Sequence, residues 1–361
     1  MKLTLGGLLN ELPGPIMITG HTGFKGTWLT LLLERIGVPV VGLSLPALPH
    51  SLFERARRSG AIPEEFLDIR DFQSVRNFMT KYKPSAIIHM AAQPLVLESY
   101  KNPRLTFETN VMGTVNVLDS AFATESVKAI VVVTTDKVYR NDNSGKKFVE
   151  SDALAGKDPY SASKVGTESA VAAWQQISKI SNGPKVTSVR AGNVIGGGDW
   201  AVDRLLPDLV RGFSAGTPVR VRNAMSTRPW QHVLDPLVGY VMALEFTLAG
   251  GEISSMNFGP NNDSIPVSDV VEISKESWPF PVSVEFEDAQ KEVSIEAIAL
   301  QLDSEFAKTL LNWSCAWNQR ESVVTTIKWW DQVLNNSVSP IVACASDIDF
   351  LLAKTHIELK D

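Results

Sequence analysis

Residues 15–26 read PIMITGHTGFKG, and their reading decides the fold. A short apolar run breaks at Thr19 into Gly20, Gly23 and Gly26, and a helical pattern, FKGTWLTLLLERIG, begins at once. Strand, glycine turn, helix is the order of a βα unit whose loop holds an anion. Glycine permits the tight turn and lets a pyrophosphate approach the backbone, while the helix N-terminus favours negative charge. The spacing is GxxGxxG rather than GxGxxG, so the setting carries more weight than the spacing. The plain alternative is a glycine-rich strand–helix turn with no ligand.

Outward from this unit the same alternation repeats. Short runs rich in β-branched residues recur at 39–45 (PVVGLSL), 86–92 (AIIHMAA), 129–135 (AIVVVTT) and 185–196 (KVTSVRAGNVIG). Near-continuous apolar strands of this kind suit a parallel sheet covered on both faces. Between them lie the helical patterns FQSVRNFMTKYK, PRLTFETNVMGTVNVLDSAFA and PYSASKVGTESAVAAWQQISK. The expectation is an α/β chain with a doubly wound parallel Rossmann sheet and ligands at the carboxyl ends of its strands. After about residue 200 prolines and arginines punctuate the chain. We expect a Rossmann domain over 1–190 and a smaller C-terminal substrate-binding domain over 191–361, interleaved with late Rossmann elements. The Trp and Met residues of that last part read as core.

The chain has 361 residues, 44% of them hydrophobic, and a formal net charge of −6. That is enough chain for a substantial core, with no bulk electrostatic reason to seek nucleic acid or an anionic membrane. Neither partner is expected. Cys315 and Cys344 form no CxxC pair and no metal cluster, so we expect no metal and a reducing, cytoplasmic setting. The first residues, MKLTLGGLLNELPGP, lack the pattern of a secretory leader.

The strand at 129–135 ends on Thr134, Thr135, Asp136 and Lys137, with Tyr139 close behind. Burying a carboxylate and an ammonium is costly unless they are paired or used; a solvated strand end is the bland alternative. PYSASK places Tyr160 and Lys164 four apart on one helix face, where an ammonium beside a phenol favours the phenolate. Ser44 stands where an acidic residue at the end of the second strand favours NAD over NADP, so that choice stays open on local grounds. Asp68 suits either an adenine contact or a helix N-cap. His89, on the apolar strand IIHMAA, reads as a satisfied core histidine.

Taken in chain order, TGHTGFKG, HMAAQPLV, TNVMGT, TTDKVY, DPYSASK, RAGNVIGGGDW and RPWQHV resemble the extended short-chain dehydrogenase/reductases. Within them the chain is most similar to the CDP-glucose 4,6-dehydratases. The resemblance covers roughly residues 15 to 260. It implies a bound NAD held by Gly20, Thr22, Gly23, Phe24, Lys25, Gly26, Asp68, Ile69, Ala91, Ala92, Gln93, Asn110, Thr134, Tyr160 and Lys164. It implies that Tyr160 takes the proton of a sugar C4 hydroxyl as hydride leaves. Lys164 then holds the cofactor ribose and lowers the tyrosine pKa, and Thr135 bonds the C4 oxygen. Lys137 removes the C5 proton, and Asp136 protonates the departing C6 hydroxyl. The sugar nucleotide falls to Gln93, Thr135, Asn193, Asp199, Trp200, Arg204, Arg222, Arg228 and His232, and the assembly to a homodimer.

Three places depart from that family: Leu97 where a basic residue is usual, the loop RNDNSGKKFVES after the Asp–Lys pair, and a last third without a histidine-bearing stretch. An epimerase or decarboxylase on the same scaffold keeps the tyrosine and glycine motifs but needs no acid–base pair at the strand end. A non-catalytic NAD(P)-sensing scaffold is the rival from another class, and it normally lacks the tyrosine or lysine that this chain retains.

Overall fold

The apolar runs become strands because both of their faces are covered. The computed structural model describes residues 5–260, 264–286 and 300–355. Seven strands, Ile16–Thr19 (β1), Val40–Ser44 (β2), Glu64–Phe66 (β3), Ala86–His89 (β4), Ala129–Val133 (β5), Lys185–Ala191 (β6) and Ser255–Phe258 (β7), form one sheet. All pair in parallel, in the order β7-β6-β5-β4-β1-β2-β3. The strand order reverses between β1 and β4, which opens a crevice at their carboxyl ends.

Alternate strand residues feed two separate cores, as the period of two requires. Ile16, Ile18, Ile88 and Val131 face a cluster built with helices Phe24–Arg35 (α1) and Leu234–Leu248. Met17, Ile87, Ile130 and Val132 face the other, built with Phe72–Tyr82 (α2), Gly113–Phe122 (α3) and Pro159–Ser181 (α4). We label Leu234–Leu248 α5, Gln319–Leu334 α6 and Pro340–Lys354 α7. The last two join the first cluster through Trp329, Trp330, Cys344 and Ile348.

Helix α4 starts where its caps dictate. The Asp158 carboxylate accepts from the Ser161 amide at 2.9 Å, the Ser161 hydroxyl accepts from the Asp158 amide at 3.1 Å, and Pro159 opens the first turn. This capping box fixes where Tyr160 and Lys164 emerge.

Three sequence expectations change. The run at 185–196 ends as a sheet strand at Ala191, and Val194–Ile195 pairs separately with Gln231–His232. The helical pattern from Pro103 contains a π turn over Glu108–Met112, which inserts an extra residue and turns Asn110 inward. Trp230, Trp278, Trp313, Trp317, Trp329 and Trp330 are core, but Met225 is exposed in the loop before Thr227. Among the described residues, no helix is long and apolar enough to cross a membrane.

Asp235, on the first turn of α5, is fully buried and accepts from the Ala316 amide at 2.6 Å, tying α5 to the segment before α6. Burial pushes its carboxyl up to about 8, against the opposing pull of the Ala316 and Trp317 amides. The folded chain therefore keeps a proton that the unfolded chain releases from about pH 4 upward. Stability from this group is present in acid and lost as pH rises through that window. Asp235→Asn keeps an acceptor and cannot ionise. It should raise the thermal midpoint at pH 8 by on the order of a few degrees, with less gain at pH 5. An unchanged or lowered midpoint at pH 8 contradicts this.

Candidate active site

The glycine loop is built for close approach. Gly20 holds φ +75°, and a side chain there would meet the Ala91 backbone at 2.9 Å. A Cβ on Gly26 would overlap the Gly20 carbonyl, so α1 sits directly on the loop. Gly23 caps α1 and is exposed, leaving the N-terminus of a twelve-residue helix uncovered. Such a bare loop fits a dinucleotide pyrophosphate. Around it, the Thr22 hydroxyl bonds Ser44 Oγ at 2.8 Å and the Leu45 carbonyl at 2.9 Å, which locks the loop to the end of β2. Phe24 is half-buried against the core, and Ala92 is half-buried beyond β4. Past β3, Asp68 is held by Arg70, whose guanidinium lies 2.6 Å away and keeps its carboxyl below the usual range. Ile69 is buried against Gly113.

At the end of β4, His89 is a satisfied core residue. Thr114 spends its proton on the Asn110 carbonyl at 2.7 Å, so His89 Nε2 donates to Thr114 at 3.0 Å. His89 Nδ1 then accepts from Thr19 at 2.6 Å. Burial and the Lys164 charge push its pKa down to about 3, which keeps it neutral. Gln93 folds its own loop: its amide donates to Thr106 and the Leu95 carbonyl and accepts from the Leu95 amide. Asn110 bridges this loop to α4, accepting from the Gln93 amide at 2.7 Å and donating to Ser163 at 2.8 Å.

The end of β5 gathers the charged groups. Thr135 caps a 3₁₀ turn, Asp136–Val138, and donates to Asp136 Oδ1 at 3.0 Å. Asp136 is 2% exposed, and its Oδ2 has no partner. A Cβ on Gly192 would lie 2.9 Å from that oxygen, so glycine leaves the room it occupies. Burial raises the Asp136 carboxyl, opposed by Lys137, the Thr135 hydroxyl and Arg228. Lys137 is half-buried. Tyr160 is hydrogen-bonded to Thr135; burial pushes its phenol up to about 12, with Thr135 and Arg204 pulling it down. Lys164 donates to the Val133 carbonyl at 3.0 Å, and burial brings it down to about 8.

Lys25 joins this group from the glycine loop. Its Nζ donates to Tyr240 Oη at 2.8 Å, and burial with the nearby charges of Lys164 and Arg204 lowers its pKa to about 7. Tyr240, on α5, was not foreseen. Its only signal is a lone hydroxyl in the apolar run LVGYVMAL.

The structure divides the residues expected beside the substrate. Arg204 reaches the Tyr160 cluster and pairs with the buried Asp199 at 2.9 Å. The charge of Arg228 acts on Asp136. Asn193 passes its carbonyl to the Gln231 amide, and Arg222 is exposed. Trp200 is half-buried and His232 fully buried, each against aromatic neighbours. Trp200 lies between the Arg55 and Arg211 guanidinium groups against Trp330. His232 is fully buried with its ring 4.2 Å from Trp317. Both follow from the tryptophan-rich α6 region folding back over the first core, a long-range contact that spacing does not encode.

A buried polar hub behind Thr135 also escaped the sequence reading. Glu168 accepts from Thr134 at 2.5 Å, from Ser188 at 2.8 Å and from Arg190 through two bonds of 2.9 Å. Its signals were present: Glu168 lies four after Lys164 on one helix face, and Arg190 is a lone charge in an apolar strand.

A family described as NAD dependent epimerase/dehydratase matches residues 16–259. The chain is 41% identical to CDP-glucose 4,6-dehydratase of Salmonella typhimurium, over 94% of this chain and 97% of that protein. Two solved structures share its fold. UDP-glucose-4-epimerase of Stenotrophomonas maltophila gives a TM-score of 0.77 at 19% identity, covering 90% of this chain and 100% of that one. A dTDP-glucose 4,6-dehydratase of Streptomyces venezuelae gives 0.76 at 20%, covering 91% and 99%.

Proposed function

The chain belongs to the NAD dependent epimerase/dehydratase family, and from that premise we propose that it is a sugar-nucleotide 4,6-dehydratase. Its substrate in this reading is CDP-glucose and its product CDP-4-keto-6-deoxyglucose, as the name of the Salmonella typhimurium relative suggests. One observation carries the choice over an epimerase: a buried carboxyl, Asp136, lies in the same cluster as Tyr160 with an unpartnered oxygen and a raised pKa. Epimerisation at C4 needs no second acid. Elimination of water does.

NAD, when bound at the glycine loop, supplies the hydride acceptor for C4 and the donor for C6. Gly20, Gly23 and Gly26 receive its pyrophosphate in this reading, with Lys164 toward its ribose. Tyr160 takes the C4 hydroxyl proton while Thr135 bonds the C4 oxygen. The 4-keto group makes the C5 proton acidic, and Lys137 removes it. Asp136, whose carboxyl burial pushes up, gives its proton to the C6 oxygen, which leaves as water. Arg204, Arg222 and Arg228 suit the diphosphate as forked donors, with Asn193 and Asp199 in the same part of the chain. We assign the substrate-side residues to a domain spanning most of 191–361, and the enzyme to the cytoplasm, where Cys315 and Cys344 stay free thiols.

The assembly in this reading is a homodimer through the α3 and α4 region. Tyr100, Leu105, Phe107 and Met112 are exposed on the helical turns leading into α3, and a second copy would cover them. Sedimentation at micromolar concentration should give twice the chain mass; a monomer contradicts the assembly.

Purified protein offered CDP-, dTDP-, UDP- and GDP-glucose should form the 4-keto-6-deoxy product fastest from CDP-glucose. Tyr160→Phe should lose the oxidation itself. Lys137→Ala should still fold and slowly reduce NAD⁺ with substrate, yet exchange the C5 proton on the order of a hundred- to ten-thousand-fold more slowly. Wild-type turnover with normal C5 labelling in Lys137→Ala overturns the elimination roles.

A further inference from the structure

We propose that Tyr139 is a positioning residue for the acid–base turn, holding Asp136 and Lys137 for elimination while leaving the oxidation step to Thr135 and Tyr160. The inference rests on the dehydratase reading and goes beyond it, because Tyr139 touches neither Asp136 nor Tyr160 through any side-chain bond.

The 3₁₀ turn Asp136–Val138 is three residues long and has few bonds of its own. Its entry is secured by the sheet: the Thr134 amide donates to the Val189 carbonyl at 2.8 Å and the Thr134 hydroxyl to Glu168 at 2.5 Å. Thr135 is therefore fixed by β5 and β6. The exit has a single antiparallel bridge, Tyr139 to Leu154, in place of a sheet strand, and the Tyr139 side chain adds a second fastening.

The Tyr139 hydroxyl is used as donor and as acceptor. It donates to Asn257 Oδ1 at 2.8 Å and accepts from Arg190 Nη1 at 2.8 Å. Its ring stacks on Phe148 with centroids 5.0 Å apart and planes 9° apart. Burial holds the phenol up at about 12, so it remains a donor throughout the working range. Each partner is anchored in turn. Arg190 is locked by its two bonds to Glu168. Asn257, on β7, donates to the carbonyls of Phe148 and Asp303 at 2.9 and 3.2 Å. The chain beyond the turn closes against this post: Arg140 N donates to the Ala153 carbonyl and Ala155 N to the Val138 carbonyl, both at 2.8 Å.

The turn thus has two ends with separate fastenings. The entry, which orients Thr135 and Tyr160, depends on β5, β6 and Glu168. The exit, which sets where Lys137 and Asp136 stand, is held by one short antiparallel bridge at Tyr139 and, on the side-chain side, by the Tyr139 hydroxyl. Loosening the exit alone should separate the two half-reactions, because a small misplacement of a proton-transfer group costs rate steeply.

Tyr139→Phe keeps the ring and removes only the hydroxyl, leaving Asn257 Oδ1 without its donor and Arg190 Nη1 with the Glu150 carbonyl at 3.1 Å. With CDP-glucose, we expect solvent deuterium to enter C5 at least tenfold more slowly than in wild type. The first-turnover formation of NADH should stay within twofold, and KM should be little changed. A purely structural role would slow both half-reactions together in proportion to lost folded protein, measured on the same sample by its unfolding transition. Equal slowing of both, or unchanged C5 exchange in a folded variant, overturns the proposal. Should wild-type protein itself form no 4-keto-6-deoxy product, the dehydratase reading has failed. The Tyr139 assignment then falls with it for that separate reason.

Discussion

The carboxylate of Glu168 is the point on which the site is hung. It lies on α4, buried, and a buried charge of this kind is tolerated only when it is paired and hydrogen-bonded. It takes donors from β5 through Thr134 and from β6 through Ser188 and Arg190. Those bonds fix one helix against two strands. The helix carries Tyr160 and Lys164, and the turn that follows β5 carries Thr135, Asp136 and Lys137, so the pairing sets where one group stands relative to the other. Removing one partner of such a pair leaves the other uncompensated and costs on the order of 3–5 kcal/mol. Arg190 answers that charge so fully that its own pKa is raised further.

With the two elements locked, burial decides protonation. Asp136 and Tyr160 are pushed up, while Lys25, Lys164 and His89 are pushed down, each by desolvation before any neighbour acts. Burial thus disfavours the charged form of each of these groups, and Tyr160 must shed its own proton before it can act as a base. The charges of Arg204 and Arg228, which act on Tyr160 and Asp136 respectively, suit an anionic substrate.

Much of this was legible from local pattern. The glycine loop, the five apolar runs and the Tyr160–Lys164 pair are short-range signals, and chain order alone placed them on strand ends and a helix start. His89 was readable because a lone histidine in an apolar strand has few other ways to be satisfied. What escaped was long-range. Nothing near Trp200 or His232 says that α6 and its tryptophans return to cover them, and nothing near Tyr240 says that Lys25 will reach its hydroxyl from 215 residues away. The split of the 185–196 run into two strands also lay beyond pattern, because the β-branched residues continue past Gly192 while the pairing partner changes. Glu168 and Arg190 stand between these cases. Each was visible as an oddly placed charge, but their meeting required the sheet order.

The central claim is that one active site removes a hydride from C4 and returns it to C6 of the same sugar, with elimination between. It is tested most directly by incubating the purified protein with CDP-glucose carrying deuterium at C4, in ordinary water. The account predicts a 4-keto-6-deoxy product with that deuterium at C6. Deuterium retained at C4 of an epimerised sugar, or lost from the product altogether, would contradict it.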